Sequence, residues 1–93
     1  MSFDKDSAVQ KAKEDLARRL SISENDIKTK SVDDQDFPDM SLGAPVEGEM
    51  SGMMISSGWR IDLDAAGENY EYRADKYQLR LVGFEGTNHV VAS

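Results

Sequence analysis

The chain reads as an α+β domain: an N-terminal helix packed on a small antiparallel sheet of three to four strands, with a long loop between the first and second strands. Three observations lead there. Apolar residues recur at helical spacing near the start, at Val9, Ala12, Leu16 and Leu20. They alternate at period two later on, at Met53, Ile55, Trp59, Ile61 and Leu63 and then at Tyr70, Tyr72 and Ala74. Short turn signals separate these later runs, which favours hairpins over the long crossovers that parallel strands need.

Taken in order, the helix can be capped by Asp6 or Ser7, and Ala17 widens its apolar stripe. Lys11, Lys13, Glu14, Asp15, Arg18 and Arg19 fall between the apolar positions and read as its solvated face, with Glu14 and Arg18 a favourable i,i+4 pair. The helix should end near Leu20 or Ser21. Ser23-Glu24-Asn25-Asp26 follows as a cap and single turn, and Ile22 and Ile27 close it onto the core. From Ile27 to about Phe37 the chain should run extended, anchored in the middle by Val32.

The segment from Phe37 to Gly52 holds both prolines, Pro38 and Pro45, and the glycines Gly43, Gly48 and Gly52, with no period running through it. Loops of this length in a small domain tend to be functional or mobile. In the strands beyond it, Ser56-Ser57-Gly58 suggests a bulge or bend, and Asp64-Ala65-Ala66-Gly67-Glu68 a hairpin turn with Gly67 left-handed. Glu71 and Arg73 point outward from the Tyr70–Ala74 strand. A last strand spans Gln78 to Phe84, and 85–93, which has no pattern, reads as a flexible tail. The expectation is a single domain over 1–93 with its core in about 6–84.

Composition narrows the function. The chain has 93 residues, a net charge of −7 and no cysteine. Disulfides, thiolate metal sites and thiol nucleophiles are thereby excluded. Nucleic acid and anionic membrane surfaces are poor partners, because the cations are scattered and outnumbered. No apolar run reaches the roughly 20 residues that span a bilayer, and no leader is visible, so a cytoplasmic location is expected.

Candidate chemistry is sparse. Asp33, Asp34, Asp36 and Asp39 form an acidic cluster, but their spacing does not fit a calcium loop and Pro38 stands where the turn should be. His89 is the lone histidine; Ser56 and Ser57 have no marked activator; Glu47 and Glu49 form at most a carboxylate pair without a cleft. No enzyme activity, metal or cofactor is expected. Met40, Met50, Met53 and Met54 are the more interesting group, since methionine clusters serve adaptable binding surfaces. Met53, in phase with Ile55, is expected in the core, as is Trp59.

Several blocks together resemble a family of small uncharacterised prokaryotic domains whose pattern is an "RLGIS" helix end, a "WPDGSLGCP" loop, a "PGYRI" strand and a "YEYH" strand. The matching stretches here are Arg19–Ser23, Phe37–Pro45, Gly58–Ile61 and Tyr70–Arg73, so the likeness covers roughly residues 11–75. The family cysteine is replaced by Ala44 and the family histidine by Arg73, so any thiol or imidazole chemistry of relatives would be lost in this chain. The resemblance implies the fold and singles out the loop.

The resulting expectation is a non-catalytic protein-interaction module that works through the 37–54 loop, with Phe37, Asp39, Met40, Leu42, Glu49, Met50 and Met54 as contact residues. The alternatives are a peptidase-inhibitor-like module presenting that loop and a small-ligand-binding domain. Self-association through an uncapped edge strand is a further reading.

Overall fold

Asp4, rather than Asp6 or Ser7, caps the first helix, α1 (Lys5–Leu20). The computed structural model, which describes residues 2–93, shows a reciprocal capping box: Ser7 N–H donates to Asp4 Oδ1 at 2.8 Å and Asp4 N–H donates to Ser7 Oγ at 2.9 Å. The Ser7 amide, and then the Ser7 hydroxyl, lower the pKa of the Asp4 carboxyl. Ser7 thus sits inside the helix, as the partner of the cap. At the other end Ser21 takes the left-handed conformation and donates back to the Ala17 carbonyl, which stops the helix. Ser23 then caps a single 3-10 turn, Glu24–Asp26.

Five strands follow, not three to four: β1 (Ile27–Phe37), β2 (Ser56–Ala65), β3 (Glu68–Ala74), β4 (Leu79–Phe84) and β5 (Thr87–Ala92). They form one antiparallel sheet in sequential order, so β1 and β5 are its edges. The β2–β3 connection is a two-residue turn in which Ala66 and Gly67 both have positive φ, the geometry that matches strand twist. Glu85 and Gly86 repeat it between β4 and β5, which is why residues 87–92, expected as a tail, form a strand. Register shifts on both sides of the β4–β5 pair break the period-two signal there.

One face of the sheet receives α1. Ala8, Ala12 and Leu16 pack onto Ile61, Leu63, Tyr72, Ala74, Leu79 and Leu81, all buried. Asp15 corrects the sequence reading: it is 2% exposed and lies under the helix, not on its wet face. It falls three residues after Ala12 and seven after Ala8, which puts it on the same stripe. Its burial is sustained by donors from three directions. The Tyr72 hydroxyl reaches Oδ2 at 2.8 Å, Arg19 Nε reaches the same oxygen at 2.7 Å, and Arg18 reaches Oδ1 at 3.2 Å. Burial first, and the Asp15 carboxylate second, push the Tyr72 phenol far above its ordinary range, so it remains a donor.

Gly58 is neither a bulge nor a bend. It pairs in register with Gln35, and a Cβ there would stand 2.0 Å from the Ala74 carbonyl oxygen. Only glycine lets these backbones approach so closely. The single shift in the β1–β2 pairing lies instead between Thr29 and Ser31.

Candidate interaction site

The 38–55 segment between β1 and β2 covers part of the sheet face opposite α1, and its two halves behave differently. The first half is seated. Ser41, Leu42 and Ala44 are buried, and side chains from the sheet reach up to the loop's carbonyl oxygens. Arg73 Nη1 donates to the Leu42 carbonyl at 2.8 Å and Gln78 Nε2 to that of Met40 at 2.6 Å. Arg80 Nη1 donates to the Ala44 carbonyl at 3.1 Å, and Asn88 Nδ2 to that of Pro45 at 2.9 Å. These donors come from β3, β4, β5 and the turn before β4, so the sheet grips the loop along its length. Backbone carbonyls that would otherwise be buried unpaired are satisfied in this way.

Charge locks the same seam. Arg80, 4% exposed, forms a two-pronged ion pair with Glu49, with Nη1 2.6 Å from Oε1 and Nη2 on Oε2. The guanidinium holds Glu49 below its usual carboxylate range. Asp39 shapes the preceding turn: its Oδ1 accepts from Ser41 Oγ at 2.5 Å, Ser41 N–H at 2.9 Å and Gly43 N–H at 3.2 Å. The Ser41 hydroxyl, and then the Gly43 amide, lower its pKa. Leu42 is held at φ 59°, an uncommon conformation for a side chain of its size, with Gly43 left-handed beside it. Phe37, also buried, carries the Arg73 guanidinium 5.7 Å above its ring.

The second half stands proud. Met50 is 98% exposed, Met53 86%, Met54 71% and Ile55 71%, and Tyr77 from the β3–β4 turn is 66% exposed. Met40 N–H donates to the Gly52 carbonyl at 2.9 Å, which ties this strip to the seated half. Met40, Met54, Ile55 and Tyr77 line a concavity of about 330 Å³ at the end of the sheet. Met53 was expected in the core. It lies outside it because regular pairing begins only at Ser56, so its period-two phase has no strand to act on.

The residues singled out from sequence therefore divide. Phe37 and Leu42 are buried, Asp39 and Glu49 are half-buried and hold the loop's shape, and Met40, Met50 and Met54 are at the surface. The sequence reading missed the clamp itself, because Arg73 read as an outward-facing strand residue and nothing singled out Arg80. Ile55 and Tyr77 were also missed as surface residues.

The other candidates are dispersed. Asp34 pairs with Lys5 at 3.0 Å and Asp36 accepts from Ser57 Oγ at 2.7 Å, on the opposite sheet face from the loop that Asp39 shapes. Among the described residues no group of three or more His, Asp or Glu side chains is placed to hold a metal ion. His89 lies against Phe84, with Nε2 3.1 Å from Thr87 Oγ1. Another concavity, of about 520 Å³, lies between α1 and β5 and is lined by Phe3, Tyr77, Val91 and Ala92 among others.

A family pattern described as a domain of unknown function (DUF8738) matches residues 9–82, which run from the helix through the clamped loop to β4. The chain belongs to this family. No curated protein and no solved structure matches it. Among the described residues no helix is long and apolar enough to cross a membrane. Two of the departures from the pattern noted above border the seam: Ala44, in place of cysteine, is buried in the loop, and Arg73, in place of histidine, bonds the Leu42 carbonyl.

Proposed function

We propose that this domain is a non-catalytic protein-interaction module whose contact surface is the strip Met40, Met50, Met53, Met54, Ile55 and Tyr77. The observation that carries the reading is the exposure of these large apolar side chains on a segment whose other half is clamped to the sheet. Exposed apolar clusters are costly in water and mark contact sites. Methionine suits such a site, because its flexible thioether adapts to differently shaped partners. The polar side chains beneath the loop already serve its carbonyls and Glu49, which supports a scaffolding role for them.

A photo-crosslinker placed at Met53, used in native extract, tests the proposal. Crosslinked partners should be lost when Met50, Met54 and Ile55 are changed together to serine and retained when Val90 is. Identical crosslinking patterns for both variants would refute the assignment. A second reading, the inhibitor-like module, draws on the exposure of residues 50–55 between fixed ends. A panel of endopeptidases would be inhibited stoichiometrically in that case; cleavage within 50–55, or no inhibition at all, dismisses it.

A further inference from the structure

The apolar concavity, which Asp75 and Lys76 also line, adjoins a second one at Ser57. The second, of about 350 Å³, is lined by Ser57 together with Asp34, Gln35, Asp36, Gly58 and Trp59. Methionine, isoleucine and tyrosine side chains thus stand on one side of Ser57 and a pair of exposed carboxylates on the other. Neither carboxylate is firmly engaged. Asp34 meets Lys5 with both side chains well exposed, a contact that water and salt screen, and Asp36 receives a serine hydroxyl. The chain around them carries a net charge of −7.

We infer that the partner is a basic amphipathic segment: a long apolar side chain enters the Met40–Met54–Ile55–Tyr77 concavity while nearby Lys or Arg residues meet Asp34 and Asp36. The inference rests on the apolar strip being the contact surface and adds the sign of the partner. Charge complementarity argues for this occupant. A second copy would bring the same two aspartates and another −7 to the surface, and an acidic segment would meet them unpaired; both are disfavoured. Attraction at the acidic end also steers encounter, so binding should weaken as salt rises.

The test uses the full chain and three synthetic peptides of equal length, built from leucine and lysine, leucine and glutamate, or serine and lysine, titrated by calorimetry. The leucine–lysine peptide should bind at least about tenfold more tightly than either other peptide, and more weakly at high salt. Asp34→Asn with Asp36→Asn should reduce that preference several-fold. Glu24→Gln with Asp26→Asn, which removes equal charge from the exposed turn before β1, should leave it unchanged. Circular dichroism confirms that both variants fold. Equal binding of lysine and glutamate peptides, lost in Met54→Ser/Ile55→Ser, would overturn the inference and spare the contact surface. Binding indifferent to Met54→Ser/Ile55→Ser, or no binding by any peptide, would overturn the inference, and indifference would remove the contact surface as well.

Discussion

Replacing Arg80 with leucine removes the group that fastens the loop at two points. In the native fold its guanidinium donates to both Glu49 oxygens, to the Ala44 carbonyl at 3.1 Å and to Gln78 Oε1 at 2.7 Å. A hydrogen bond to a charged partner contributes about 1.5–3 kcal/mol net, and Glu49, which keeps some access to water, argues for the lower end. The buried Ala44 carbonyl left without a donor adds about 1–2 kcal/mol, while leucine recovers part of the lost packing. The expected cost is about 3 kcal/mol, a fall in Tm on the order of 15 °C for a domain of this size. Glu49→Gln, which keeps the shape but loses the charge, should cost about 1 kcal/mol. Thermal melts and urea titrations followed by circular dichroism measure both, with an unchanged urea m-value expected for the leucine variant. An Arg80→Leu protein melting within about 2 °C of the parent would refute the idea that the clamp contributes to stability.

Three other outcomes follow from the same geometry. Tyr72→Phe deletes the donor that ties β3 to the buried Asp15 and should cost about 1.5–2 kcal/mol by urea unfolding; a neutral substitution would mean that Arg18 and Arg19 suffice. Gly58→Ala forces a methyl group onto the Ala74 carbonyl and should destabilise by about 2–3 kcal/mol; a fully stable alanine variant would show that β2 and β3 can part without penalty. Asp39 and Glu49 both have depressed folded-state pKa values, against ordinary values of 3.8 and 4.5, so their stabilisation is complete above those values and fades as pH falls through the lowered ones. A Tm-versus-pH series should show that acid limb flattened in Asp39→Asn and Glu49→Gln, and an unaltered limb would contradict the assignment.

The elements were legible where one periodicity governed them. Helix α1, the single turn at residues 24–26, the first strand and the Ala66–Gly67 hairpin all follow from spacing and turn chemistry. The long loop was legible from its prolines and glycines. What escaped was anything decided by long-range polar contact. Asp15 carries a charge, so its place on the helix stripe was discounted, although Tyr72 and two arginines compensate it. Arg80 occupies an outward strand position and is buried only because the loop folds over it. β5 escaped because its pairing with β4 is irregular. The exposed strip was half-visible: its methionines stood out, but only the start of pairing at Ser56 separates Met53 and Ile55 from the core.

The central claim is that one loop holds a fixed half and a presented half, and amide hydrogen exchange reads it residue by residue. The amides of Met40, Ser41, Leu42 and Ala44 donate to Gly52, Asp39 and Ser41 oxygens and should be protected, whereas those of Met50, Met53 and Met54 should exchange at nearly the rate of an open chain. Loss of the protected set in Arg80→Leu would complete the agreement. Uniformly fast exchange across residues 38–55 in the parent protein would contradict the account.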